Sequence, residues 1–287
     1  MADTFFRLVE IMKVRTITAA IILAVTIPIL IFSKYIIYPI ALAVIALAAV
    51  FELLRVIGVH RTWIVSVPAY LISLALPLAA YFVTESTRVL YLLSVSAVIF
   101  AYMIYLMGVS VFSHGRLTFG KIGETFVSVT YVVISLSALS TIRYMAHGMF
   151  CFLLVFITAW VSDSMAYIVG SLIGKHKLIP EVSPKKTVEG AVGGVVSAII
   201  GCLLYGLIIE LLTEVEANYL SLALIGLTLS VVSQLGDLIA SLIKREYGVK
   251  DYSNLLPGHG GIMDRFDSVL AVSTPLMVMC LVIPPFM

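Results

Sequence analysis

The sequence predicts an all-α, polytopic integral membrane protein with about nine transmembrane helices and a cytoplasmic N-terminus. Composition and long uncharged stretches predict the fold, and the placement of lysine and arginine predicts the orientation. The 287 residues are 61% hydrophobic and 12% charged, against about 25% charged in a soluble domain. The deficit is uneven, with apolar stretches of roughly 18 residues or more, long enough to cross a bilayer as a helix.

The spans fall at about 16–33, 35–58, 63–83, 89–112, 124–142, 149–174, 188–209, 219–243 and 268–287. The first has a long apolar run, acidic residues before it and no small-x-small cleavage pattern after it, so it reads as a span rather than a signal peptide. Residues 1–15, with Phe5, Phe6, Leu8, Val9, Ile11 and Met12 among charges, read equally as an interfacial helix or a frayed terminus. With the N-terminus inside, only Lys34, Arg88 and Arg143 of the 18 lysines and arginines lie on the outer side. That is a strong positive-inside bias. The outer loops are short, and polar chemistry is expected on the inner face, in the loops at 174–188 and 244–267. Residues 1–150 form an N-terminal transmembrane region of about five spans. Residues 151–287 form a catalytic region of about four spans plus cytoplasmic loops.

Cys151, Cys202 and Cys280 all sit in apolar stretches. An odd, widely spaced set gives neither a disulfide framework nor a metal pattern, so they read as packing residues. Gly190, Gly194, Ser197 and Gly201 mark one helix face, and Ala159, Ala166, Gly170 and Gly174 another. Small-xxx-small faces let helices approach closely in lipid and also suit a homodimer.

Asp163 and Asp237 lie inside spans. Asp237 precedes Lys244 by seven residues, roughly 10 Å along a helix, and Asp163 precedes Lys175 by twelve, roughly 18 Å. A mid-span aspartate costs about 2.5–3.5 kcal/mol on the lenient insertion scale, so it faces a cavity or a partner. Ser230, Ser233, Asp237, Ser241 and Lys244 recur every three or four residues and form one polar stripe. It runs into residues 241–267, where Lys244, Arg245, Lys250, Arg265 and His259 accompany Glu246, Asp251, Asp264 and Asp267. Gly258, Gly260 and Gly261 flank His259 and permit positive φ or close approach to a ligand. Asp264 and Asp267, three apart at a helix start, face the same way.

Hard carboxylate oxygens suit Mg²⁺, commonly held by one or two carboxylates plus substrate phosphates, and lysine and arginine suit phosphate. Phosphoryl or nucleotidyl transfer needs positioning and charge stabilisation more than covalent help. Asp237, Asp264 and Asp267 are the metal candidates, since three carboxylates at one depth repel one another without a cation. The stretch 170–175 (GSLIGK) is no Walker A motif, and there is neither a GxGxxG fingerprint nor a zinc pattern around His259. Nothing points to nucleic acid.

Ser241-x-Ile243-Lys244-Arg245, Lys250-Asp251 and His259-Gly260-Gly261-x-x-Asp264-Arg265-x-Asp267 resemble the signature of phosphatidate cytidylyltransferases, also called CDP-diacylglycerol synthases. The loop Ser183-Pro184-Lys185-Lys186-Thr187-x-Glu189-Gly190 and the WVSDSMAY context of Asp163 are similar to the family as well. The resemblance covers about 160–267. It implies a phospholipid-biosynthetic transferase making CDP-diacylglycerol and pyrophosphate from CTP and phosphatidic acid. It also implies Mg²⁺, with room for a second cation, and an active site at the cytoplasmic side of the cell's inner (plasma) membrane. On this reading Asp237, Asp264, Asp267, His259 and Lys244 are catalytic, with the three aspartates on the metal. Lys185, Lys186, Arg245, Lys250, Arg265 and Ser241 bind substrate phosphate, and Asp163, Glu189 and Asp251 are further candidates. His259 reads as a general base, a phosphate-orienting group or a helix cap. Glu189 reads as a ligand or a first-turn carboxylate favoured by the helix dipole. Lys175 and Lys177 read as membrane anchors. A CTP-dependent lipid or polyprenol kinase and an ion-coupled transporter using Asp163 and Asp237 are the other classes.

Overall fold

A computed structural model describes the backbone of residues 2–287 and the side chains of 16–287 except Ala19. The amphipathic face considered for residues 1–15 lies outside the described side chains. The elements in chain order are α1 (Ala2–Ile31), α2 (Ile37–Ile57), α3 (Trp63–Ala79) with a 3₁₀ turn at Ala80–Phe82, α4 (Arg88–Phe112) and α5 (Phe119–Arg143). Next come α6 (Gly148–Cys151), α7 (Leu153–Phe156), a π-helical segment (Ile157–Val161) and α8 (Ser162–Ile173), together one span. Strands β1 (Lys177–Ile179) and β2 (Ser183–Thr187) precede α9 (Val188–Leu212), α10 (Tyr219–Glu246) and α11 (Met263–Val282).

Eight helices among the described residues are long and apolar enough to cross a bilayer, and the chain is an all-α, multi-pass membrane protein. The predicted first span corresponds to the shorter apolar end of α1, Thr16–Ile31. The predicted inner loop at 174–188 is an antiparallel hairpin, with Lys177 opposite Thr187 and Ile179 opposite Ser183.

Two compact units form. One comprises Met1–Tyr81, Val89–Val133 and Val249–Arg265, the other Phe82–Arg88, Ile134–Gly248 and Phe266–Met287. The predicted catalytic region therefore contributes to both, with Val249–Arg265 belonging to the first.

In the first unit, Ala46, Ala49, Val50 and Leu54 of α2 and Val65 and Ala69 of α3 are fully buried. In the second, α9 shows how lipid inverts the usual pattern. Gly190, Gly194, Ala198, Cys202 and Gly206 point inward, while Val192, Val196, Ile200, Leu204 and Leu211 are exposed. Bulky apolar groups gain nothing by leaving a hydrocarbon solvent, so close backbone packing decides which face turns in. A Cβ on Gly194 would lie 2.8 Å from Ser162 O, one on Gly226 of α10 2.7 Å from Ile199 Cα, and one on Gly236 2.4 Å from Ala271 Cβ. The three cysteines are free and buried, as packing residues should be.

Gly226 meets backbone, which cannot swing aside, whereas a Cβ on Gly123 of α5 would meet nothing within 4 Å. Gly226→Ala should cost about 1–3 kcal/mol by overpacking, and Gly123→Ala should be neutral or stabilising by about 0.5–1 kcal/mol. Melting curves of the purified variants in detergent check both.

Candidate functional site

The second unit gathers carboxylates from three helices. Asp163 stands in the first turn of α8, directly after the π-helical segment; such widened turns re-aim the residues that follow and recur at functional sites. Its Oδ2 accepts from Ser268 Oγ of α11 at 2.9 Å. Asp267 lies one residue earlier on α11, and its Oδ1 accepts the Ser268 N–H at 2.8 Å. Asp237 comes from α10, and Asp163, Asp237 and Asp267 lie within mutual electrostatic reach.

Lysines answer this charge. The hairpin carries Lys186 to Asp237 Oδ2 at 2.7 Å, with side chains only 24% and 31% exposed. Lys186 Nζ also donates to Gln234 O at 3.4 Å, and Gln234 Nε2 donates to Ala191 O at 3.1 Å. Lys244 acts electrostatically on Asp267. Ser241 Oγ reaches Asp237 Oδ1 at 3.5 Å. Further along the predicted stripe, the Ser230 and Ser162 hydroxyls share a buried hydrogen bond of 2.7 Å, while Ser233 Oγ has no partner among the described residues. The stripe is real, and its occupants change from helix packing at Ser230 to charge pairing at Asp237.

Asp163, Asp237 and Lys186 line a cavity of about 450 Å³, together with Lys185, Lys177 and Tyr167. Lys177, expected as an anchor, belongs to this wall. Glu189 does not: its carboxylate accepts from the Lys175 N–H at 3.1 Å, the His176 N–H at 3.2 Å and His176 Nδ1 at 2.6 Å. It clamps the connection into β1, while Thr187 caps α9 by accepting from Gly190 N at 3.2 Å. Arg245 is exposed in the last turn of α10.

The remaining predicted residues lie in the first unit, in Val249–Arg265. Lys250, Asp251 and Arg265 are exposed. Asp264 is buried, and its Oδ2 accepts from Tyr252 N at 2.8 Å and Gly261 N at 2.9 Å. Gly258 and Gly260 have φ of 75° and 81°, where glycine is the natural residue, in a turn closed by Leu256 N–H to Gly260 O at 2.9 Å. His259 Nδ1 is buried and unpartnered among the described residues.

Glu52 is the residue that sequence reading missed. It is 2% exposed on α2 and accepts from Ser253 Oγ at 2.5 Å, Ile262 N at 2.9 Å and Met263 N at 2.8 Å. It thus caps the start of α11, a role considered for His259. It also explains Gly261, where a Cβ would fall 2.5 Å from the Glu52 carboxylate oxygens. The signal was present: Glu52 is a carboxylate flanked by apolar residues inside a span, the same anomaly that marked Asp163 and Asp237.

Asp163, Asp237 and Asp267 thus face Lys186 and Lys244, with Lys177 and Lys185 on the wall of the cavity that Asp163 and Asp237 line. Among the described residues no three acidic, histidine or cysteine side chains group as a metal cage. Mg²⁺ is commonly held by one or two carboxylates with substrate phosphates completing its shell, so hard oxygens flanked by lysines fit that ion when phosphate is present.

A cluster of carboxylates and lysines held among apolar helices defines a class of membrane protein with a polar site. Residues 13–283 match the profile of the cytidylyltransferase family, and the chain belongs to that family. It is 37% identical to a phosphatidate cytidylyltransferase of Staphylococcus epidermidis over 94% of this chain and 99% of that protein. It is 36% identical to the enzyme of that name from Staphylococcus haemolyticus and 37% to that from Staphylococcus aureus, with the same coverage of each.

Glu52→Gln turns one acceptor oxygen into an amide donor facing backbone or hydroxyl donors. The expected result is faster hydrogen exchange at the Ile262 and Met263 amides, by about 1–3 kcal/mol of lost protection, with amides of α9 unchanged.

Proposed function

We propose that this chain is a CTP:phosphatidate cytidylyltransferase, an Mg²⁺-dependent nucleotidyltransferase of phospholipid biosynthesis. A lipid phosphate oxygen attacks the α-phosphorus of CTP in line, the bond to the β-phosphate bridging oxygen breaks, and pyrophosphate leaves, giving CDP-diacylglycerol. The observation that carries this reading is the cluster of Asp163, Asp237 and Asp267 with Lys186 and Lys244 in a member of the cytidylyltransferase family.

The chain's residues divide the work. Asp237, Asp264 and Asp267 are assigned to the cation, since carboxylate oxygens suit a hard divalent ion. When bound, a divalent cation supplies positive charge to the phosphate oxygens. Lys185 and Lys186 on the hairpin, and Lys244, Arg245, Lys250 and Arg265, hold substrate phosphates as charged hydrogen-bond donors, with Ser241 as a neutral donor. Lys186, paired with Asp237, would hold the incoming phosphate, and Asp237 would hold the cation. His259 orients a phosphate, since a phosphate monoester needs little deprotonation near neutral pH. Gln234, tied to Ala191, keeps α10 and α9 in register behind Lys186.

The N-terminus and the site lie at the cytoplasmic side of the inner membrane in this reading, with Thr16–Ile31 as a ninth span. The assembled form is a homodimer, with room for a second cation.

Asp237→Ala and Asp267→Ala should each lower incorporation of labelled CTP into lipid about 10²-fold or more, the scale of losing a transition-state charge partner. Asp264→Ala should do the same in protein that retains its melting temperature. Near-normal turnover removes that residue from the cation site, and release of CDP instead of pyrophosphate makes the enzyme a kinase.

A further inference from the structure

A second cavity, of about 820 Å³, lies in the first unit, between the start of α3 and the end of α4. Its apolar wall is Ile64, Val109, Phe112 and Leu117, and its polar end carries Ser113, His114 and Arg116. No acidic residue lines it. Arg116 has no ion-pair partner among the described residues.

The cavity is built rather than incidental. The Tyr105 hydroxyl donates to Ile64 O at 2.7 Å, tying α4 to the first turn of α3. Ser110 Oγ donates to Leu117 O at 2.8 Å, Ser113 Oγ to Ser110 O at 2.8 Å, and Leu117 N–H to Ser113 Oγ at 3.1 Å. These bonds hold the turn that presents His114 and Arg116. Gly108 lines the space from within α4, and a Cβ there would meet nothing within 4 Å. Glycine weakens a helix relative to alanine, and no neighbouring atom demands it at this position, so its effect is to leave the cavity open. Phe112, which lines the cavity, is 81% exposed, as aromatic residues are at the headgroup level of a bilayer.

We propose that this cavity binds one anionic phospholipid, with the headgroup phosphate on Arg116 and His114 and the glycerol and upper acyl chain along Ile64, Val109 and Phe112. The site shares no lining residue with the cavity at Asp237 and serves a lipid that is not consumed. Charge complementarity selects the occupant: a guanidinium matches phosphate through paired N–H donors, the apolar wall matches glycerol and acyl carbons, and the volume lies within the range of small-ligand sites.

The test uses the full chain in mild detergent, incubated with equal amounts of phosphatidylglycerol and phosphatidylcholine of matched chains and weighed intact by native mass spectrometry. The expected result is one retained phosphatidylglycerol per chain in preference to phosphatidylcholine. Arg116→Gln should lower that retention about tenfold, the scale of a lost charge-assisted bond. Gly108→Leu, which narrows the cavity and keeps every charge, should lower it comparably. Equal retention of the two lipids, or undiminished preference in Arg116→Gln, overturns the proposal. Displacement of the lipid by inorganic phosphate would reduce the site to an anion site and also overturn it. So would a change from dimer to monomer in Gly108→Leu with lipid retention intact, which makes a second copy the occupant.

Discussion

A carboxylate inside an apolar helix must find positive charge or hydrogen-bond donors, and the architecture around both signature segments follows from that requirement. In hydrocarbon the alternative to a partner is an unsatisfied charge costing several kcal/mol. Asp237 is answered by Lys186, Asp163 by Ser268, and Glu52 by one hydroxyl and two backbone N–H groups. Each answer comes from a different element. The hairpin, the start of α11 and the turn before it are therefore not decorations on a bundle; they are the means by which acids inside the spans are matched.

Such matching works only if the helices stand close. Gly190, Gly194, Gly226 and Gly236 remove the side chains that would hold α8, α9, α10 and α11 apart. Gly236 is next to Asp237, and its missing Cβ would come within 3.1 Å of Asp267 O. The residue that admits α11 thus also sets the separation of two carboxylates. Packing and chemistry share one constraint here, and a substitution made for one alters the other.

The spans were legible because hydrocarbon imposes a composition on any helix that crosses it, and the polar stripe on α10 because its serines, aspartate and lysine share a helical period. The acids and bases of residues 241–267 stood out against so few charges. What stayed hidden depended on partners distant in sequence. The Lys186–Asp237 pair joins a hairpin to a helix, and SPKKT carries no alternation that announces a strand. The π-helical segment ITAWV reads as ordinary apolar helix, because one extra residue in a turn leaves no trace in composition. Glu52 is the lone acid of α2, with its donors more than 200 residues away, though its burial obeys the same rule as Asp163.

The hydrogen bonds of Glu52 reach across 201 to 211 residues of sequence. During synthesis α2 emerges and enters the membrane long before Ser253 or Met263 exists. Through that interval its acid has none of its final donors, and must be hydrated, protonated or sheltered by other protein. The last loop to be made thus completes the second helix, and the maturing chain carries a built-in dependence of its early half on its end. An interrupted chain lacks the donors that a finished one gives to Glu52.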